Sequence, residues 1–369
     1  MAVAPYRRAD IPTVRSVSAD NKPEVDGEWV RLEDVCAKGK SNLRQKDLKN
    51  DGPYPVYGAP GIVGFSSDYQ NVDAYVAVVK DGAGVGRVMA CEPRSSVLGT
   101  MQALLPGKGT DRDYLLHLVR SMDLGKGFTG STIPHIYFKD YGKTLVRALS
   151  RGRQVEVANR LSGIDRLISQ GKQQLSFLDD LVKSQFVEMF GDPKSNPHGW
   201  DIGTIETIAA NLDAKRVPIT QSDREEGPYP YYGATGAVDS VSGYIFDERL
   251  LLVSEDGANL LARTYPIAFS IFGKTWVNNH AHVLKVQNEE TQVFLEKLIN
   301  MMDISEFITG STQPKLTQKQ LNQIPVMLPP MSLQRQFAEF VARVDKLGFG
   351  IWLACKSLHE PITHFYHQI

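Results

Sequence analysis

Residues Gln154 to Phe190 read QVEVANRLSGIDRLISQGKQQLSFLDDLVKSQFVEMF and contain no proline. Val157, Leu161, Ile164, Ile168, Leu175, Leu178, Val182 and Met189 step along the stretch by alternating fours and threes, with Gly171 and Gln185 on the two remaining rungs. This is an a/d seam, the pattern of a helix that packs lengthwise against another helix. At ~1.5 Å per residue such a helix is on the order of 55 Å long, longer than the core of one compact domain. The spacing therefore predicts a spacer helix over 151–190 with a domain at each end.

The remainder of the chain supplies those domains. Its 369 residues suffice for two or three cores, and its composition, 42% hydrophobic and 22% charged, is that of an ordinary water-soluble protein. The longest apolar runs, Tyr75–Val79 and Leu250–Val253, are strand-sized and far below the ~20 residues of a membrane span. Residues 1–25 are polar, lack the apolar core of a secretory signal and read as an arm. Cys36, Cys91 and Cys355 show no CxxC spacing, so the default is a reducing cytoplasm. The net charge of −1 removes the bulk basicity that by itself argues for nucleic acid.

Self-comparison then organises the chain. GPYPVYGAPGIVG from Gly52 returns as GPYPYYGATGAVD from Gly227, and AYVAVVKDGA ending at Ala83 returns at the same offset as LLLVSEDGA ending at Ala258. GFTGSTIP around Thr129 returns as FITGSTQP around Thr309, and QVEVANRLSGID from Gln154 as QRQFAEFVARVD from Gln334, these two sharing a slightly longer offset. One unit is written twice, and within each unit strand-like runs, Asp-Gly turns and helical spacings mix. The second seam runs through Phe337, Val341, Val344, Ile351, Leu358, Ile362, Phe365 and Ile369, with Gly348 and Cys355 as weak rungs and Ser332 as its expected N-cap, and Pro361 is expected to kink it. The predicted fold is thus α/β (α+β) in two tandem copies, each followed by a long helix. The two helices pair as an antiparallel coiled coil with pseudo-two-fold symmetry. The pairing rests on Leu161, Ile164, Ile168, Leu175, Leu178 and Val182 against Val341, Val344, Ile351 and Leu358. The expected bounds are an arm over 1–25, a domain over 26–150, a helix over 151–190, a linker over 191–199, a domain over 200–331 and a second helix over 332–369.

Catalytic signatures are looked for and not found. Gly273-Lys274-Thr275 resembles the tail of a phosphate loop, but Ala268 stands where its first glycine belongs. Gly82, Gly84 and Gly86 have the wrong spacing for a dinucleotide turn. His280 and His282 alternate on an expected strand and share a face, with no third metal ligand at suitable spacing. What recurs is suited to contact. Tyr54, Tyr57, Tyr229, Tyr231 and Tyr232 sit in Pro/Gly-rich loops, where large rings serve either loop packing or ligand contact. Thr129-Gly130-Ser131-Thr132 and Thr309-Gly310-Ser311-Thr312 offer hydroxyls and backbone N–H groups that suit phosphate or fix their own turn. Lys126 and His135 flank the first copy, and Lys315 and Lys319 the second.

The TGST blocks, the GPYP-x-YGA loops, NNHAHVL over Asn278–Leu284, MFGDP over Met189–Pro193 and the IPVMLPP run leading to Gln334 together resemble the specificity subunit of type I restriction–modification enzymes, from Glu28 to about Asp345. The resemblance implies two target-recognition domains, each reading half of a bipartite, asymmetric double-stranded DNA sequence. It implies paired helices that set the gap and dock two methyltransferase (modification) subunits. Those partners would use S-adenosylmethionine, and restriction (motor/nuclease) subunits would add ATP and magnesium; this chain would hold no cofactor, no metal and no catalytic residue. The DNA-contact candidates are Tyr54, Tyr57, Lys80, Arg87, Lys126, Thr129, Ser131, Thr132 and His135 in the first copy. In the second they are Tyr229, Tyr231, Tyr232, Lys274, Thr309, Ser311, Thr312 and Lys315. The first copy departs from the pattern in lacking the Pro-Pro before its helix, and the second helix ends without a counterpart of MFGDP, as a truncated or frameshifted variant would.

Two other classes compete. A duplicated adaptor that binds protein or glycan would show no salt-dependent DNA binding and no methyltransferase partner. A stand-alone methyltransferase would need a cofactor motif and a catalytic motif, and the chain shows neither.

Overall fold

In the computed structural model of the chain, residues 27–130, 134–310 and 312–358 are described; the expected arm over 1–25, the kink at Pro361 and the seam positions beyond it lie outside them. The chain divides into two compact units, Lys172–Trp352 and, among the described residues, 27–171 with 353–358. The division falls inside one continuous 40-residue helix, Arg151–Phe190, and not at its ends. The cause is local: each end of the helix is fastened into its own domain.

Both copies build the same two sheets. In the first copy the strand Tyr75–Val79 lies between Met101–Pro106 and Val88–Cys91, and Cys36–Lys38 adds to the outer edge of Met101–Pro106, all antiparallel. In the second copy Leu250–Ser254 lies between Ala281–Val286 and Ala268–Ile271, with Ala209–Asn211 on the outer edge. The central strands are buried at every residue, which is why they read as continuous apolar runs. The second sheet centres on Tyr54–Gly58 in one copy and Tyr229–Gly233 in the other. Each has one antiparallel neighbour, Gly61–Ser66 or Gly236–Val241, and one parallel neighbour, Ser96–Val97 or Lys274–Val277.

The tyrosine-rich stretches expected as loops are therefore strands. Pro55 and Pro230 conceal this, since proline in a central strand removes a ladder donor. Here each proline precedes by one residue the point where the parallel neighbour begins, at Val56 and at Tyr231, so the missing N–H is not needed.

The change of repeat offset also has a place. Asp81-Gly82 and Asp256-Gly257 still keep the shorter offset, whereas the next strands, Val88–Cys91 and Ala268–Ile271, already keep the longer one. The first copy closes this turn directly, with Gly86 N–H donating to the Val79 carbonyl at 2.8 Å. The second inserts the short helix Asn259–Ala262. Both copies thus keep the hairpin-type turn expected after the strand, each central strand pairing antiparallel with its successor, while the N–H groups of Gly82 and Gly257 donate to the Pro134 and Pro314 carbonyls.

The buried face of Arg151–Phe190 follows the heptad spacing as far as Val182 and then leaves it. Val157, Leu161, Ile168, Leu175 and Val182 are buried, and Ile164 and Leu178 partly so. Beyond Val182 the buried positions are Phe186 and Phe190, not the Gln185 and Met189 of the heptad reading. The two rings meet Phe294 and Phe337 at centroid distances of 4.9 to 5.5 Å and anchor the helix in the second core. A phenylalanine cluster buries more apolar surface than the polar Gln185 rung could, so it sets the face. The C-terminal helix, Met331–Ser357, buries Phe337, Val341 and Val344 in the same cluster, while Ile351 and Leu358 are partly buried. Phe337 meets both Phe186 and Phe190, so the C-terminal helix and the end of Arg151–Phe190 share this cluster.

Ser332 lies within the first helical turn. Pro330 takes the N-cap position, its carbonyl accepting from the Leu333 and Gln334 N–H groups. Both helix starts share one clasp. Gln154 Nε2 donates to the Leu149 carbonyl and Gln334 Nε2 to the Pro329 carbonyl, each at 2.8 Å. The Oε1 atoms turn to the domains, accepting from Asp111 N–H and Thr291 hydroxyl, each at 2.7 Å. The Pro-Pro pair is thus dispensable in the first copy.

Candidate nucleic-acid interface

In the first copy the segment after the central strand carries Lys80, Asp81 and Gly82. Gly82 has φ +91°, which a side chain resists, and its N–H donates to the Pro134 carbonyl at 3.0 Å. Thr129 and His135 exchange backbone hydrogen bonds at 2.9 and 2.8 Å, and Ile136 N–H donates to the Lys80 carbonyl. His135 Nδ1 lies 2.6 Å from Asp81 Oδ1. Gly86 abuts Gly125 so closely that a Cβ would clash, which brings in the segment bearing Lys126; that lysine pairs with Asp123 at 2.7 Å. Arg87 donates to the Ala59 carbonyl at the hairpin tip at 2.8 Å. Lys80, Arg87, Lys126, Thr129 and His135 thus converge on one end of the domain.

The second copy repeats the backbone bonds of this frame, including Leu316 N–H to the Glu255 carbonyl, with other side chains on it. Gly257, with φ +105°, donates to the Pro314 carbonyl at 3.0 Å, and Thr309 and Lys315 exchange bonds at 2.8 and 2.7 Å. Lys315 Nζ reaches Glu255 at 3.1 Å, and His280 Nδ1 reaches Asp256 at 2.9 Å. Thr309 and Thr312 are exposed here. Ser131, Thr132 and Ser311 lie outside the described residues.

The tyrosines separate into two groups. Tyr57 and Tyr231 are buried, their hydroxyls bonded to the Glu92 N–H and to the Ile219 backbone; as strand residues facing a core they are closed to a ligand. Tyr232 is partly buried against Phe269. Tyr54 and Tyr229 sit at the far end of the hairpin from the Asp-Gly frame. Each makes an edge contact with a second tyrosine, Tyr69 at 4.8 Å and Tyr244 at 5.1 Å, pairs that only alignment of the two copies would have linked. Lys274 lies over Tyr244 at 4.7 Å and Tyr229 at 5.9 Å. Lys274 and Thr275 belong to the strand Lys274–Val277, which disposes of a phosphate loop there.

Beneath the second frame lies a charged network that the sequence does not reveal. His282 is buried and His280 half exposed, so the two histidines do not share one environment. His282 Nδ1 faces Asp213 Oδ2 at 2.6 Å and its Nε2 the Leu316 carbonyl at 2.8 Å. Arg216 bonds to Glu255 and to the Ala281 carbonyl and lies 3.4 Å from Asp213. Burial pushes the Asp213 carboxyl up, but the hydrogen bond and charge of His282, the Val283 N–H and Arg216 outweigh it and hold the group below the ordinary carboxylate range. Burial likewise raises Glu255, and Arg216, His282 and Lys315 reverse it. Ligand atoms of Asp213, Glu255 and His282 lie within 4.8 Å of one another, the spacing of a metal site. Both nitrogens of His282 face acceptors, which calls for N–H donors there and leaves no lone pair turned to a metal.

A sequence model described as the type I restriction modification DNA specificity domain matches residues 197–351. A type I restriction enzyme specificity subunit of Haemophilus influenzae is 31% identical over 176 residues, 48% of this chain and 42% of that protein's length. The MjaIX specificity subunit of Methanocaldococcus jannaschii is 21% identical over 64% of this chain and 63% of its own. The crystal structure of the S subunit of a type I restriction–modification system from M. genitalium superimposes with a TM-score of 0.60 at 16% identity. That match covers 96% of this chain and 98% of that one, a likeness of fold. Among the described residues no helix is long and apolar enough to cross a membrane.

Proposed function

Because the chain belongs to the family of type I restriction–modification specificity subunits, we propose that it is the DNA-reading subunit of such a system and carries no catalytic centre of its own. Each copy reads one half of a bipartite, asymmetric site in double-stranded DNA through the loop end built on its Asp-Gly frame. The helices Arg151–Phe190 and Met331–Ser357 run side by side in opposite senses along their length, fix the gap between the halves and dock two methyltransferase subunits. S-adenosylmethionine belongs to those subunits, and ATP and magnesium to restriction subunits that join them in the cytoplasm. Partners that neutralise phosphates make a net charge of −1 compatible with DNA binding.

One observation carries this reading. The backbone frame is the same in both copies while the side chains it presents differ: Lys80, Thr100 and His135 in one stand where Glu255, His280 and Lys315 stand in the other. A frame kept and a surface changed is what two readers of different sequences require. The test is to map methylation in DNA exposed to the chain with its methyltransferase partner. The expected product is a two-part site, and whole heptads inserted into Arg151–Phe190 change only its gap. Methylation at single, continuous sites overturns the reading.

A further inference from the structure

Asp81 and Asp256 stand at the same place in the two copies, each opening the Asp-Gly pair beyond the central strand. Each holds an accessible imidazole by its Nδ1: His135 at 2.6 Å from Asp81, and His280 at 3.0 and 2.9 Å from the two oxygens of Asp256. The two histidines are not equivalent in the repeat. His135 follows the TGST block, where the second copy has Lys315; His280 precedes the strand Ala281–Val286, where the first copy has Thr100. One acid has therefore met the same partner twice, from different segments of chain. A contact inherited with the fold would keep its position in the repeat; this one keeps only its chemistry.

That chemistry orients the ring. An ionised carboxylate only accepts, so Nδ1 carries the hydrogen, and in the neutral ring Nε2 keeps a lone pair on the opposite edge. The rings are 34% and 50% exposed, and among the described residues neither Nε2 has a hydrogen-bond partner. Tyr137 stacks on His135 at 6.3 Å and steadies its plane, and the Asn278 side chain accepts from the His280 backbone N–H at 2.8 Å.

We propose that His135 and His280 each contact a base in one half of the target, and that Asp81 and Asp256 are the positioning residues that set their tautomer. Nε2 then accepts a hydrogen bond from an exocyclic amino group in the major groove, adenine N6 or cytosine N4. This rests on the DNA-reading function proposed above.

The experiment uses the full chain with its methyltransferase subunits on a pool of randomised duplexes, reading methylated sequences. Asp256→Asn offers an N–H to Nδ1, reverses the tautomer and turns Nε2 into a donor. It is expected to shift preference at one base pair of one half-site by roughly 10- to 100-fold while leaving the other half intact. Asp81→Asn does the same to the opposite half. His280→Gln, which keeps an acceptor oxygen at similar reach, retains the base, and His280→Phe loses it. Unchanged preference in the Asn variants overturns the proposal. So does uniform weakening over all sequences, which marks a phosphate contact, and so does loss in both halves, which marks a role in folding. Should the unaltered complex methylate no two-part site, the DNA-reading function itself fails, and the histidine assignment with it.

Discussion

At one register of the central sheet the first copy places Gln102 opposite Val78, and the second places His282 opposite Val253. Gln102 is buried and neutral, donating to the Ala103 carbonyl at 2.8 Å. His282 sits in a buried network with two carboxylates and a guanidinium. The same backbone accommodates both, so the network is not needed to form the sheet. It ties Asp213 and Arg216, Glu255 and the Leu316 backbone into one cluster, fixing the base of the frame. Such ions gain little net stability over apolar replacements, but losing one partner strands the others.

The largest contrast follows from that asymmetry. Arg216→Met leaves two carboxylates short of a buried partner and is expected to destabilise the second unit by ~3–5 kcal/mol. Gln102→Leu removes two neutral hydrogen bonds, to the Ala103 and, at 3.4 Å, the Gly39 carbonyl, and costs the first unit only ~1–2 kcal/mol. Hydrogen exchange read separately over the two units during urea unfolding measures both, and equal losses would erase the distinction.

Next comes the response to acid. Burial, helped by Arg120, pushes the His117 imidazole from 6.5 down to about 3, and its Nε2 lies 3.0 Å from the Ser162 hydroxyl on the long helix. A group whose folded pKa is depressed gives stability that is present above its unfolded pKa and lost as pH falls. The first unit should therefore weaken by ~1.4 kcal/mol per unit of pH as it falls below 6.5 towards 3. At the equivalent position of the second copy stands Lys297. Burial lowers it, but Glu296, Asp345 and Asp179 raise it overall, so its contribution persists in acid and is lost only in strong alkali. Asp213 and Glu255, both held low, fail only below the ordinary carboxylate range. Thermal melts of the two units should diverge between pH 6.5 and 5, and His117→Gln should bring them together.

The smallest effect concerns the tyrosine pairs. Lys274→Ala removes the cation over Tyr244 and Tyr229 and should cost the second unit ~0.5–1 kcal/mol, with the Tyr54–Tyr69 pair unaffected. Calorimetry resolves a change of that size, and a loss severalfold larger would show the lysine to be part of the core.

The duplication and most of the long seam are legible because they are written in local order. Val157 to Val182 keep the heptad spacing, and the central strands are unbroken apolar runs. The helix end escapes that reading because Phe186 and Phe190 follow a spacing of four and leave the heptad to meet Phe294, which lies far along the chain. Tyr57 and Tyr231 look like loop residues because prolines two and one residues before them mask the strands. The buried network is invisible for a related reason: Asp213 and His282 are 69 residues apart in sequence, and only the folded sheet brings them together.

The reciprocal backbone bonds between Thr129 and His135, and between Thr309 and Lys315, hold those two positions together in each copy. Closing a loop restricts its chain entropy, and here that restriction is met once, when the domain folds. A ligand arriving later finds both rims already at their final spacing, and less of its binding free energy goes into ordering the protein.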